Sequence, residues 1–158
     1  MKNGFFKGHG LGNDYIALDP ADLEFRLTPK RIRAICDRHW GAGSDGILAL
    51  APSTKADFGV RIYNPDGSEA EKSGNGLRIY ARWLVEHRYA PPSFSVSLSC
   101  GVVQCEVDGD MVTVQMGTAS FEPADIPSTE ALLHSDRTVL DTTLPLTAVG
   151  VGNPHCVV

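Results

Sequence analysis

The middle of the chain combines the end of a strand, a tight turn and the start of a helix within residues 63–78. Gly74 and Gly76 lack a Cβ atom, so a ligand can approach the backbone there closely. The first turn of a helix carries N–H groups without intrahelical partners, and its dipole favours an anion beside them. Asn64 and Asn75 are candidates for orienting such an anion through side-chain hydrogen bonds. The segment predicts a binding site for a carboxylate or a phosphate.

Each of these residues also has a purely structural interpretation. Ser73 or Asn75 is typical of a helix N-cap, and Asn64 at the head of Asn-Pro-Asp-Gly is typical of a turn. The glycines equally suit a tight entry from a strand into a helix. The segment matches neither the P-loop nor the dinucleotide-binding glycine pattern. Both interpretations stay open on these residues alone.

The composition argues against several other classes of function. The chain has 158 residues, a net charge of −5 and no basic run, so we expect no nucleic-acid partner. Its apolar stretches fall far short of the roughly 20 residues that cross a membrane, so we expect no membrane partner. The four cysteines include no C-x-x-C pair, which argues against a metal site. Cys36, Cys100 and Cys105 are expected to be buried, and a reducing, cytoplasmic location fits them.

Two helices are expected to position the site. Thr28-Pro29 predicts a helix with Thr28 as its N-cap and Gly41 as its stop. A second helix is expected to start within residues 73–76 and cannot continue through Pro91-Pro92. Its predicted face comprises Leu77, Tyr80, Ala81, Leu84, Val85 and Arg88.

Apolar and alternating runs predict strands around these helices. The predicted strands cover residues 5–8, 15–18, 46–50, 58–63, 93–99, 102–107, 111–116, 139–146 and 148–151. Residues 9–14 and 120–130 are predicted as loops, and Asp108-Gly109 as a hairpin turn. The pattern favours an α+β fold in which a curved, mainly antiparallel sheet wraps around one long helix.

Four segments of this chain resemble the signatures of the diaminopimelate epimerase family, in the family's order. They are His-Gly-Leu-Gly-Asn-Asp-Tyr at 9–15, Arg-His-Trp-Gly-Ala-Gly-Ser-Asp-Gly at 38–46, residues 64–78, and Gly-Asn-Pro-His-Cys at 152–156. The resemblance implies one half of a pseudo-symmetric fold, with the active site between two domains. Residues 1–147 would form the first domain, and residues 148–158 would be a strand crossing toward a second, absent one. The apolar end at 155–158 fits a piece of a longer protein, although a short chain with a docked terminal strand is the alternative.

The resemblance also implies a reaction. Family members invert the α-carbon of an amino acid without pyridoxal phosphate or a metal, so we expect no cofactor. Two cysteines, one from each domain, remove and return the proton. The most direct expectation is conversion of LL- to meso-diaminopimelate in lysine biosynthesis. The binding partner would then be a small amino-acid substrate, and the family precedent is a homodimer. Carried over by motif, Asn13, Asn64 and Asn153 would contact the substrate, Gly74 and Asn75 would hold its α-carboxylate, and His155 would lie in the site.

This chain departs from the family pattern at one decisive position, because Ser73 stands where the family carries a catalytic cysteine. A hydroxyl is a far weaker acid than a thiol, so Ser73 needs activation before it can act as a base. Lys72 and His155 are candidate activators, while Cys156 is interpreted as a packing residue. An engineered replacement, a natural variant with altered chemistry, and a relative that only binds an amino acid all stay open; the differing sequence around Ser73 favours a natural variant.

Overall fold

The structure is a computed structural model that describes residues 2–87, 89–139 and 141–158. The chain forms two compact units, Met1–Gln115 and Met116–Val158. The domain boundary predicted between residues 147 and 148 separates a first domain from a strand leading to a second one, and it stays a prediction. Neither of the two α-helices described, of 13 and 8 residues, has the length and apolar character that crossing a membrane requires.

The first unit contains one large sheet and two helices. Its strands are β1 (Phe6–Gly10), β2 (Asn13–Leu18), β3 (Ile47–Ala51), β4 (Phe58–Tyr63), β5 (Glu69–Ala70), β6 (Ser93–Leu98), β7 (Gly101–Asp108) and β8 (Met111–Val114). Its helices are α1 (Pro29–Cys36) and α2 (Gly74–Glu86). The sheet order is β1-β2-β3-β4-β6-β7-β8, with β5 paired to β4. The pairings β2–β3 and β4–β6 are parallel and the others antiparallel.

The sheet curls around α2. This helix contacts β1 and β2 at one end of the strand order and β7 and β8 at the other. Leu77, Tyr80 and Leu84 are fully buried in the resulting core. The α+β fold with a mainly antiparallel sheet around a long helix is therefore confirmed.

The second unit is a small antiparallel sheet. Its strands are β9 (Ser135–Val139), β10 (Thr142–Gly150) and β11 (Pro154–Val157), in the order β11-β10-β9. A bridge between Ser120 and Gly150 ties the preceding loop to β10. The two strands predicted at 139–146 and 148–151 fall mostly within the single strand β10, because Thr147 continues the extended backbone and pairs with Val157; residue 139 instead ends β9.

Several local predictions were wrong for identifiable reasons. Most of the loop predicted at residues 9–14 belongs to β1 and β2, which a two-residue turn at Leu11 and Gly12 connects. Both turn residues have positive φ, 56° and 88°, as in a type I′ hairpin turn. Helix α1 ends at Cys36, before Gly41, since Asp37 leaves the helical region and its carboxylate accepts hydrogen bonds from the amides of the next turn.

The cysteine and helix-face predictions were partly wrong as well. Cys36 and Cys105 are buried, and burial raises the pKa of both thiols. Cys100 is exposed because it lies in the two-residue turn that joins β6 to β7. On α2, Val85 is only half-buried, and Arg88 lies outside the described residues.

A group of charged side chains connects the β1–β2 hairpin to the segment before β3. Arg38 lies 2.6 Å from Asp14 Oδ1 and 2.7 Å from Asp45 Oδ1, and Lys7 lies 3.2 Å from Asp14 Oδ2. The hydrogen bond from Arg38 lowers the pKa of Asp14 to about 2, assisted by Lys7 and opposed by burial. These ion pairs hold the start of β2 beside residues that precede β3.

Tyr80→Phe tests the buried attachment of α2 to the sheet. The Tyr80 hydroxyl donates a 2.7 Å hydrogen bond to the carbonyl of Gly59 on β4, and burial raises its pKa. We expect the substitution to lower the free energy of unfolding by about 1–2 kcal/mol, because the buried carbonyl loses a donor. Urea denaturation measures this, with Tyr89→Phe as the control at an exposed tyrosine. Equal effects of the two substitutions would contradict the expectation.

Asp14→Asn tests the charged group. The folded-state pKa of Asp14, about 2, lies below the value of about 3.9 for an unfolded chain, so its ionised form stabilises the fold. That contribution is present above pH 4 and is lost as the pH falls toward 2. The difference in unfolding free energy between the natural chain and Asp14→Asn should therefore shrink across this window, as urea denaturation at successive pH values would record. A difference that stays constant with pH would contradict this account.

Candidate functional site

Ser73 is the N-cap of α2. Its backbone is extended, its Oγ accepts a 3.1 Å hydrogen bond from the N–H of Gly76, and its carbonyl accepts from Leu77. The structural interpretation of Ser73 as a cap is therefore confirmed. Capping does not exclude a second role, because the same hydroxyl lies at the mouth of the helix where a bound anion would lie.

The first turn of α2 offers backbone N–H groups to a ligand. An α-helix leaves its first N–H groups without intrahelical partners, and Ser73 satisfies only that of Gly76. Gly74 and Asn75 are the first two residues of α2, so their N–H groups have no partner within the helix. Gly76 is needed for packing, since a Cβ there would lie 3.0 Å from Leu48 Cδ2 and 3.0 Å from Ser73 Oγ.

A buried tyrosine lies beside the Ser73 hydroxyl. Ser73 Oγ donates to Tyr15 Oη at 3.1 Å, and Tyr15 is buried on β2. The ring position is constrained by Gly46, where a Cβ would lie 2.7 Å from Tyr15 Cε1 and 2.5 Å from the Tyr63 carbonyl. The hydroxyl of Ser73 thus has both a donor and an acceptor partner within the protein.

The side chains of Asn13 and Asn75 meet next to the helix start. Asn75 Nδ2 donates to Asn13 Oδ1 at 3.3 Å, and Asn13 Nδ2 donates to Asp45 Oδ2 at 3.0 Å. Arg78 donates to Asn75 Oδ1 from the next turn of α2. We call the backbone N–H groups of Gly74 and Asn75, together with the side-chain amides of Asn13 and Asn75, the amide site. The structure thus brings three of the predicted site residues, Asn13, Gly74 and Asn75, together beside Ser73.

The sheet topology explains why residues so distant in sequence come together. Strands β2 and β3 run parallel, with Ile16 beside Ile47, whereas β4 runs antiparallel to β3, with Tyr63 beside Ile47. The start of β2, the start of β3 and the end of β4 therefore share one end of the sheet. Asn13, Asp45 and Asn64 lie at that end.

Asn64 is held in the turn that follows β4. Its backbone N–H donates to the Ser68 carbonyl at 2.9 Å and its Nδ2 donates to Ser68 Oγ at 3.0 Å. The interpretation of Asn64 as a turn residue is confirmed. No hydrogen bond among those described joins Asn64 to Asn13 or Asn75, so its predicted contact with a substrate stays a prediction.

Asn153 and His155 belong to the second unit. His155 Nε2 lies 3.2 Å from Asn153 Oδ1, and the Asn153 carbonyl accepts from Val151 in a turn where Gly152 has a φ of 89°. His155 and Cys156 are exposed on β11 and Asn153 is half-buried. The exposure of Cys156 contradicts its interpretation as a packing residue within this chain. The predicted roles of Asn153 and His155 stay predictions.

Reasoning from the sequence did not single out Tyr15, Asp45 or Arg78. All three lie inside the segments that resemble family signatures, and that was the available signal. Burial alone would raise the pKa of Asp45, but hydrogen bonds from Asn13 and Arg38 lower it below its ordinary value. Asp45 is thus a carboxylate that accepts hydrogen bonds, suited to orienting Asn13.

Solved structures with the same fold include an epimerase and a phenazine biosynthesis protein. A hydroxyproline epimerase from Agrobacterium vitis has a TM-score of 0.64 at 14% identity, over 92% of this chain and 48% of that one. A Bacillus anthracis phenazine biosynthesis protein of the PhzF family has a TM-score of 0.61 at 18% identity, over 96% and 52%. At such identities the likeness concerns the fold alone.

Comparison of the sequence is more specific. Diaminopimelate epimerase 2 of Nostoc sp. is 47% identical, over 98% of this chain and 56% of its own length. The diaminopimelate epimerase of Synechococcus elongatus is 40% identical, over 97% of this chain and 58% of its own length. The chain thus spans little more than half the length of these curated relatives. The family model described as diaminopimelate epimerase matches residues 5–122, and with four signature segments in order the chain belongs to the diaminopimelate epimerase family.

Proposed function

We propose that this chain is one half of an amino-acid epimerase, and that its substrate is diaminopimelate, converted between the LL and meso forms. The observation that carries the proposal is the amide site beside position 73, where the family's signatures place a carboxylate-binding helix start and a base. Relatives named diaminopimelate epimerase support the substrate. A second epimerase domain, as the length of these relatives suggests, would supply the opposing acid–base group.

The amide site suits the electronic demand of the reaction. A base removes the Cα proton, the electron pair delocalises into the α-carboxylate, and an acid on the opposite face returns a proton to Cα. The developing negative charge therefore gathers on carboxylate oxygens. The N–H groups of Gly74 and Asn75 are preorganised donors at the positive end of the α2 dipole, which stabilises that charge.

Ser73 is poorly suited to act as the base in this reaction. Its hydroxyl donates to Tyr15 and accepts from Gly76, so it must release a proton engaged with Tyr15 before it acts as a base. This geometry favours a second candidate function, in which the protein binds an amino acid through the amide site with little or no inversion. The two candidates share the ligand and differ in proton transfer.

Substitutions at position 73 in the full-length protein distinguish the candidates. We expect Ser73→Cys to raise the rate of exchange at Cα by about 10²- to 10⁴-fold, the usual contribution of a positioned acid–base group. The helix N-terminus lowers the pKa of a thiol, whereas an aliphatic hydroxyl stays protonated. Incorporation of deuterium into LL- and meso-diaminopimelate, followed by proton NMR, measures the rate.

Ser73→Ala is the matched control, since it keeps the amide site and removes the hydroxyl. Exchange by the natural protein above that of Ser73→Ala supports the epimerase. Equal, negligible exchange by both, with binding retained, supports the binding protein instead. Failure of Ser73→Cys to accelerate exchange although diaminopimelate binds would overturn the assignment of position 73 as the base position.

The isolated chain of 158 residues provides another test. We expect it to catalyse no inversion of diaminopimelate, because a two-base reaction needs an acid on the opposite face of Cα and the proposal places that acid in the second domain. The same NMR assay compares the isolated chain with the full-length protein, and circular dichroism checks that the chain is folded. Turnover by the isolated chain at the rate of the full-length protein would contradict the two-domain site.

A further inference from the structure

A continuous line of hydrogen-bonded side chains runs from an exposed arginine to the start of α2. Arg38 donates to Asp45 Oδ1 at 2.7 Å, and Asp45 Oδ2 accepts from Asn13 at 3.0 Å. Asn13 Oδ1 accepts from Asn75 at 3.3 Å, and Asn75 Oδ1 accepts from Arg78. The line begins and ends at a guanidinium group, with a carboxylate and two amides between.

The chemistry of the two ends determines how both amides are oriented. A carboxylate only accepts hydrogen bonds, so Asp45 must face the NH₂ group of Asn13. A guanidinium only donates, so Arg78 must face the carbonyl oxygen of Asn75. These two requirements, imposed from opposite ends, leave the Asn13 oxygen facing the Asn75 NH₂ group, which is a matched pair. Flipping either amide would place donor against donor or acceptor against acceptor.

The orientation matters because a carboxylate needs donors. Each NH₂ group has two N–H bonds. Asn13 uses one on Asp45 and Asn75 uses one on Asn13, so each amide keeps a second N–H in a fixed direction. A flipped Asn75 would present its carbonyl oxygen instead, which repels a carboxylate. The amide site is therefore complete only while both side chains hold this orientation.

The backbone of β1 leaves room for the contact between Asn75 and Arg78. A Cβ at Gly10 would lie 3.2 Å from Asn75 Oδ1 and 3.3 Å from Arg78 Nη2. A side chain at this position would thus crowd the pair. The β1–β2 hairpin supplies the partner Asn13, and its Gly10 leaves space for the Asn75–Arg78 contact. The orientation of the Asn75 amide therefore depends on β1, β2 and α2 together.

We propose that Arg78 and Asp45, the latter supported by Arg38, are positioning residues that set the orientation of the Asn75 and Asn13 amides for an α-carboxylate. The inference rests on the proposed function, because it takes the amide site to face the carboxylate of an amino acid. Neither residue needs to touch the substrate. Their effect is on the affinity for the carboxylate, both in the ground state and in the transition state.

Arg78→Met in the full-length protein tests the α2 end of the line. Methionine keeps much of the aliphatic length and removes every donor, so Asn75 keeps only its contact with Asn13 to orient it and is more easily flipped. We expect the dissociation constant for meso-diaminopimelate to rise about 10-fold or more, the usual consequence of losing a charged hydrogen-bond donor. In a variant that also carries Ser73→Cys, we expect KM to rise more than kcat falls, because the contact acts on ground-state binding as well.

Arg82→Met is the matched control. Arg82 lies one turn further along α2 and pairs with Glu86 at 3.6 Å, without a described contact to either asparagine. We expect its dissociation constant to stay within about twofold of the natural protein, since surface ion pairs contribute little. Arg78→Lys should recover part of the affinity, because a lysine ammonium still donates to Asn75.

A readout without ligand separates this inference from the proposed function. The Asn75 side-chain amide should give a slowly exchanging NH₂ pair in ¹⁵N–¹H spectra of the natural protein and of Arg82→Met. Arg78→Met should accelerate that exchange, and Asp45→Asn should do the same for Asn13, because an asparagine at 45 can donate as well as accept.

Unchanged amide spectra and affinity in Arg78→Met, with binding by the natural protein intact, would overturn the inference alone. Absence of binding by the natural protein would overturn the proposed function, and the inference with it.

Discussion

An α-helix leaves the N–H groups of its first turn without partners in the helix, and in α2 the side chains of Ser73 and Asn75 beside these groups contact the start of β2. Ser73 satisfies the N–H of Gly76, which leaves those of Gly74 and Asn75 for another acceptor. Because α2 is also the centre around which the sheet curls, its start cannot retreat from β2 without disturbing the core. The fold therefore requires an acceptor, from solvent or a ligand, for the N–H groups of Gly74 and Asn75.

The charged side chains at the end of the sheet orient the amides and balance the charge beside the proposed anion site. Asn13 and Asn75 can serve an anion only if their amides point the right way, and an isolated amide has no such preference. Asp14 and Asp45 carry negative charge close to the proposed anion site, where it would repel a carboxylate. Arg38 and Lys7 neutralise much of that charge through direct ion pairs. The same contacts that attach the hairpin to the sheet therefore make the site compatible with an anion.

How much of this could be predicted from the sequence depends on the range of the interactions involved. The start of α2 within residues 73–76 and the start of α1 at Thr28-Pro29 were predicted, because caps are local. The early end of α1 was missed, since the carboxylate of Asp37 competes with the helix for backbone amides. The contact between Asn13 and Asn75 follows from strand pairing and sheet curvature, which no spacing rule supplies. Only resemblance to the family placed those two residues in one site.

Serine and cysteine at position 73 make opposite demands on the same atom. An oxygen is a good acceptor for the N–H of Gly76 and a good donor to Tyr15, so serine stabilises the helix start. Sulfur is a weak acceptor, but a thiol ionises near neutral pH whereas an aliphatic hydroxyl stays protonated, so cysteine is the better source of a base. The amide site is made of backbone groups and two asparagines, and it does not include the side chain of residue 73. In the proposed function, binding of a carboxylate and transfer of a proton are therefore separable, and serine at position 73 favours the first over the second.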